Sequence, residues 1–422
     1  MSWPPVLGLA TRSLANRRLT AGLTLAALAI SMTLVLGVEK VRHEAKASFA
    51  NTISGTDLIV GARSGSIQLL LYSVFRIGNA TNNITWRSYK RIAGLNEVAW
   101  TVPMSLGDSH LGFRVLGTTD AYFRHYRYGR KRNLAFAAGK PFDDLFDAVI
   151  GSDVAAALGY TIDSRIVVMH GLGREGFRDH KDKPFRVSGI LAKTGTPVDR
   201  TVHVSLQAIE AIHVDWRRGS PVPGMAISAD EVRRMTLTPK AVTAVLVGTK
   251  SRFGAFGLLR TINESRGEPL LAILPGVALQ ELWDLMGTAE VALSTISVFV
   301  ILAGLMGMVT MLLAGLNARR RELAVLRAVG AQPRHLFALV VAEAASLSAA
   351  GAVVALALLY AGLLVAQPIL DARFGLFIEI SPPTARDLGV LAAMVAAGVL
   401  AGFLPAWQAC RQALADGLIV RN

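Results

Sequence analysis

The 422 residues are 52% apolar, the mean hydropathy is +0.44, and 44 Lys+Arg stand against 30 Asp+Glu for a net charge of +14. That composition is too apolar for an ordinary soluble enzyme. A single cysteine, Cys410, excludes a disulfide framework, so any domain outside a membrane must be held by its own core.

The excess apolar character is gathered into four charge-free runs, Thr20–Val38, Val291–Ala318, Ala344–Leu370 and Leu388–Cys410. At about 1.5 Å of rise per residue, each can cross a hydrocarbon core roughly 30 Å thick. Ahead of the first run, residues 1–19 place Leu7, Ala10 and Leu14 at helical spacing opposite Arg12 and Arg17. The spacing predicts an amphipathic elbow helix lying on the inner leaflet. The run at 20–38 is longer than the roughly 7–15 apolar residues of a cleavable signal and is expected to stay as an anchor.

Lysine and arginine in the short segments set the orientation. Arg12, Arg17 and Arg18 precede the first span without an acid, and Arg319, Arg320, Arg321, Arg327 and Arg334 follow the second against Glu322 alone. Both termini and the arginine-rich loop are therefore expected in the cytoplasm and residues 39–290 outside. That segment carries 32 Lys+Arg and 23 Asp+Glu between 39 and 285. Outside a membrane such a basic balance suits anionic lipid head groups or an acidic protein rather than nucleic acid.

Within 39–290, TDLIVGA, GFRVLGTT, AVIG, RIVVMHG, PFRVSGIL, TVHVSL and AVTAVLVGT read as strands. GSDVAAALGY reads as a helix capped by Ser152 or Asp153 and closed by Gly159, and VSLQAIEAIHVDW as a helix capped by Ser205. The mixture predicts an α/β or α+β domain. The following PGVALQELWDLMGTAEVALS is helical in period and meets no breaker before the second span.

Catalytic signatures are missing: G-x-S-x-G, H-E-x-x-H and C-x-x-C do not occur. In LVGTKS, Thr249 separates Gly248 from Lys250 and no glycine stands five residues upstream, so the phosphate cradle of a P-loop cannot form. No ATPase and no bound cofactor are expected in this chain. YFRHYRYGRKR (122–132) is a basic and aromatic cluster that reads as a charged hairpin edge. His170, His180 and Asp182 lie close together in HGLGREGFRDHKD and are the candidate metal ligands. Their spacing matches no zinc signature, so surface or capping roles are expected for them.

The second span (291–318) leads into a cytoplasmic loop (319–335) and the third span (336–370). In that loop ELAVLRAVG places Leu323, Leu326 and Val329 near one helical face, with Gly330 as the C-cap and Pro333 opening the next helix. Anchoring needs arginines but no such apolar face, so the pattern predicts a docking surface for a soluble partner, with Leu326 at its centre. Glu343, about 12 Å up the third span by helical rise, is an intramembrane acid without an evident intramembrane base; a hydrogen bond to a neighbouring helix end is expected. Residues 371–387 form a short external loop, Gly398-x-x-x-Gly402 in the fourth span (388–410) and the small residues Ala342, Ser346 and Ala350 in the third each offer close helix packing, and 411–422 is a cytoplasmic tail.

RRRELAVLRAVGAQPRHL resembles the signature loop of MacB/FtsX-type ABC transporter permeases. The first-span segment LATRSLANRRLTAGLTLAALAIS, the external run from VLGTTDAYF to PFRVSGILAKTGTPVDRTVHVSL, and GFLPAWQACRQALADGL follow the order of that family. The resemblance implies a four-span half-transporter of the mechanotransmission type with a MacB-like periplasmic core domain. It also implies a second permease copy or paralogue, and a separate cytoplasmic ATPase carrying the ATP and magnesium. It places ATPase coupling on Arg319, Arg320, Arg321, Glu322, Leu323, Leu326, Arg327, Gly330 and Ala331. The function it implies is export or extraction of a substrate at the outer face of the inner membrane. An alternative is a regulator that activates an extracytoplasmic enzyme, with a periplasmic protein as partner. Residues 54–84 depart from the general pattern and look like a subset associated with zinc-responsive periplasmic proteins, which adds a metal-linked transport system as a further alternative.

Overall fold

A computed structural model describes residues 8, 13–14, 17–129, 131–171, 178–217, 220–221, 227–251, 253–374 and 380–415. Most of the expected elbow helix, the middle of the 371–387 loop and the end of the 411–422 tail lie outside these residues. The chain divides into two compact units, one of 1–44, 287–370 and 378–422, the other of 45–286 and 371–377.

In the second unit the strands are β1 (Leu58–Ala62), β2 (Val98–His110), β3 (Phe113–Thr118), β4 (Phe136–Gly139), β5 (Asp147–Ile150), β6 (Phe185–Leu191), β7 (Thr201–Ser205), β8 (Ala244–Thr249) and β9 (Leu270–Ile273). They run in the order β9-β1-β8-β2-β3-β7-β5-β6-β4 through one mixed sheet, with β3–β7 and β5–β6 parallel and the other pairs on this path antiparallel. The apolar runs are nearly continuous because both faces are covered. Ile59, Met104, Leu116, Val149 and Leu246 pack into one cluster, while Val60, Val245 and Val247, and Val115, Ala148, Ile150, Val202 and Val204, fill two clusters formed by the alternate side chains. The buried aromatics Tyr122, Phe123 and Tyr126 belong to the first of these. The cluster at 122–132 thus turns Tyr122, Phe123 and Tyr126 into the core, and Arg127–Tyr128 pairs with Arg132–Asn133 in a separate two-stranded ladder.

Helix α2 (Ser152–Leu158) is capped by Gly151 rather than by Ser152 or Asp153, and Gly159 ends it at φ 68°. Helix α3 (Leu206–Ile212) begins as expected, with the Ser205 hydroxyl accepting from the Ala208 N–H at 3.0 Å. His213 follows at its C-terminus.

In the first unit the bundle is made by α1 (Arg18–Thr52), α4 (Pro275–Ala318), α6 (Pro333–Phe374) and the pair α7 (Ala385–Ala401) and α8 (Phe403–Ala415). Among the described residues four helical stretches are long and apolar enough to cross a membrane. Their contacts form a ladder of small clusters: Leu28 with Met308 and Leu347, Met32 with Ala355 and Met394, Leu36 with Leu359 and Leu391. Leu293, Ile296, Phe299 and Leu302 are exposed, as a lipid-facing surface requires. Gly398 and Gly402 let α7 approach α6, because a Cβ at either would collide with Ser348 or Ala344. The residues facing these two glycines are Ser348 and Ala344. At one end of the bundle Lys40, Glu44 and Asp387, and Glu39 with Arg386, close a belt of ion pairs.

Candidate functional site

Two groups of residues stand out, one in each unit. In the bundle, α4 stops at Ala318 because Arg319 leaves helical geometry at φ −104° and ψ 14°, and a short helix α5 (Arg320–Ala328) follows. It ends in a turn in which the Gly330 N–H donates to Arg327 O and the Ala331 N–H to Leu326 O, both at 2.9 Å. Gly330 supplies the left-handed residue this turn needs, with φ +97°. Pro333 then opens α6 without forfeiting an intrahelical donor.

Which side of α5 is free differs from the expectation. Leu323 is buried in a cluster with Leu316, Leu336, Val340, Ala406 and Ala409, and Leu326 packs against the same cluster. These two leucines secure α5 to α4, α6 and α8, so neither is the centre of a docking face. Val325 and Val329 stand outward at 62% and 84% exposure, with Arg321 and Glu322 exposed beside them. Arg327 is half-buried.

Arg319 also turns inward. It is 7% exposed and donates to both carboxylate oxygens of Glu343, at 2.6 and 2.7 Å, and to Ser13. Glu343 is 1% exposed. The acid on the third span therefore does have a base, contributed by the residue at the end of the second. Bidentate geometry is the form in which a guanidinium and a carboxylate best offset each other's desolvation. Arg17 holds the same region by donating to Gly315 O at 2.7 Å.

In the sheet domain the candidate metal ligands are redistributed. His170 sits in a short strand segment, Met169–His170, paired with β2 so that His170 faces Asp108. His170 Nδ1 lies 3.0 Å from Asp108 Oδ1, and His213 Nε2 lies 3.4 Å from His170 Nδ1. The donor atoms of Asp108, His170 and His213 all fall within 4.8 Å of one another. His213 Nδ1–H donates to Ile209 O at 2.7 Å. His180 is buried beside them, its ring 5.0 Å from that of His213 and 4.5 Å from Trp216. Neither His180 nitrogen has a hydrogen-bond partner among the described residues. Burial, reinforced by His213, pushes His180 down to about 4, whereas the hydrogen bond to Asp108 raises His170. Asp182 does not join the group: it pairs with Lys183, which is fully buried and also bonds Asp215. Asp108 and His213 were missed because 62 and 43 residues separate them from His170, and only the pairing with β2 and the end of α3 closes those gaps.

Two family models match the chain: a MacB-like periplasmic core domain over residues 21–245 and an FtsX-like permease C-terminal domain over 294–414. The macrolide export ATP-binding/permease protein MacB of Nitrobacter winogradskyi is 26% identical over 431 residues, across 96% of this chain and 59% of that protein. The chain thus spans under two thirds of the length of that relative. Among solved structures, the periplasmic region of MacB from Actinobacillus actinomycetemcomitans aligns with 55% of this chain and 94% of its own, at 11% identity and a TM-score of 0.34. The extracellular domain of the ABC-type transporter YknZ from Gram-positive bacteria aligns with 52% and 99%, at 14% identity and a TM-score of 0.31.

Proposed function

Because this chain belongs to the MacB/FtsX-type permeases of ABC transporters, with a MacB-like core domain between its first two spans, we propose that it is a permease subunit driven by a separate ATPase chain docking on α5. The observation that carries the reading is the outward side of α5. Val325 on the nine-residue helix and Val329 at its C-cap form an exposed apolar pair beside Arg321, and the helix is fixed to the bundle through Leu323 and Leu326. An apolar anchor within a charged rim is the arrangement that protein interfaces use. An anchor alone would need neither valine.

In this reading two copies of the permease, or this chain and a paralogue, each receive one ATPase on the cytoplasmic side of a bacterial inner membrane. ATP and magnesium belong to the ATPase. Closure of the two ATPases displaces α5, and the displacement reaches the external domain through α4, which runs from Pro275 to Ala318 as one uninterrupted helix. The work is done on a substrate at the outer face, by export or extraction. The buried Arg319–Glu343 pair is a structural fastener beneath the docking helix, and Gly330 fixes the turn by which α5 meets α6.

The test uses full-length chain with its ATPase in lipid nanodiscs, spin-labelled at Ser251→Cys in a Cys410→Ser background. Adding ATP and magnesium should shift the label-to-label distance distribution, and Val329→Asp should abolish the shift. An unchanged distribution while ATP is hydrolysed would end the mechanical reading.

A further inference from the structure

We propose that Asp108, His170 and His213 form a binding site for one divalent transition-metal ion of the zinc class in the external domain, independent of the proposed coupling. The donor set is two imidazoles and a carboxylate, the ligand chemistry of a first-row borderline cation rather than of calcium or magnesium. Their spacing fits it as well. Bonds of about 2.0–2.1 Å in a tetrahedral site put neighbouring donor atoms about 3.3 Å apart. The Asp108–His170 and His170–His213 donor distances are 3.0 and 3.4 Å.

The tautomer of His213 points the same way. Its Nδ1–H is committed to Ile209 O, so the lone pair of Nε2 faces the other two donors. A carbonyl that fixes the far nitrogen of a ligating imidazole is the usual outer support of a metal site. Asp108 Oδ1 and His213 Nε2 are then two acceptors converging on His170 Nδ1, which has at most one proton to share between them. A cation satisfies all three at once.

His180 borders the three donors without being one of them. Its ring is buried, neither nitrogen has a partner among the described residues, and it lies against the same Trp216 ring as His170 and His213. His110, two residues beyond Asp108 in β2, shows the contrast: Val167 O at 2.7 Å and the Tyr160 hydroxyl at 3.0 Å occupy its two nitrogens. It has the burial of a structural histidine and no lone pair to spare for the site.

The experiment uses tag-free full-length chain in detergent, stripped with a chelator and titrated with zinc chloride by calorimetry, with metal content measured after desalting. One zinc per chain is expected. His213→Ala and Asp108→Asn should each weaken binding by on the order of 100-fold or more, while His125→Ala, whose ring stacks on Trp100, should bind as the parent does. Cobalt chloride gives a reading that does not depend on variants folding: the parent should show the intense visible bands of four-coordinate cobalt. No saturable zinc binding by the parent, undiminished binding by both ligand variants, equal loss in His125→Ala, or a pale six-coordinate cobalt spectrum would each overturn the site.

Discussion

Glu343 accepts two hydrogen bonds from Arg319 in a setting where neither group meets water. Removing one partner strands the other charge, at a cost of about 3–5 kcal/mol, whereas replacing both by apolar residues of similar volume is close to neutral. Glu343→Gln should therefore lower the thermal unfolding midpoint of the full chain in detergent sharply. The double variant Arg319→Met with Glu343→Met should recover most of it. A double variant no better than the single would show that the pair does more than fasten two helices. In the sheet domain His203 is fully buried, donates through Nδ1 to Val149 O at 3.1 Å and is pushed down to about 3 by desolvation and by Arg76. It stays neutral in the fold, while the unfolded chain takes up a proton below pH about 6.5. Stability from this residue is thus intact above pH 6.5 and falls as pH drops toward 3, by about 1.4 kcal/mol per pH unit. His203→Gln should flatten the acid limb of the midpoint-versus-pH curve, and a curve parallel to the parent's would contradict the assignment.

Helix α5 shows where reading the sequence ran out at the level of an element. Its existence, its Gly330 turn and the Pro333 start were legible, because each rests on local backbone chemistry. Its orientation was not. Apolar residues at 323, 325, 326 and 329 give two apolar sides, and only contact with Leu316, Leu336 and Ala406 decides that 323 and 326 face inward. The longest strand, β2, was missed for a related reason: Pro103 and Gly107 interrupt its alternation, and the neighbours β8 and β3 override that local preference. The ligand group Asp108, His170 and His213 depends on that strand, so missing β2 hid the site as well. The orientation of α5 makes a prediction of its own. Leu323→Asp should reduce the yield of monodisperse chain by exposing the buried cluster to a charge, whereas Val325→Asp should purify as the parent does. Equal yields from the two would mean that the inward face is assigned wrongly.

For the whole molecule, the four apolar helices and the core domain between the first two make a multi-pass membrane protein with an extracytoplasmic domain. The arginine distribution adds a sidedness that labelling can read. In a Cys410→Ser chain, Ser251→Cys should react with an impermeant thiol reagent in intact spheroplasts, and Ala324→Cys on α5 only after lysis. Reversed accessibility would invert the topology. The central claim is that a separate ATPase drives this permease through the outward side of α5, and capture of that ATPase tests it most directly. Full-length chain and its Val329→Asp variant are each purified in detergent with the ATPase, and the bound ATPase is quantified against folded permease. An unpaired charge at an interface centre costs about 3 kcal/mol or more, on the order of a 100-fold or greater loss of affinity. The parent should retain the ATPase and the variant should lose it while remaining folded; equal capture by both would contradict the account.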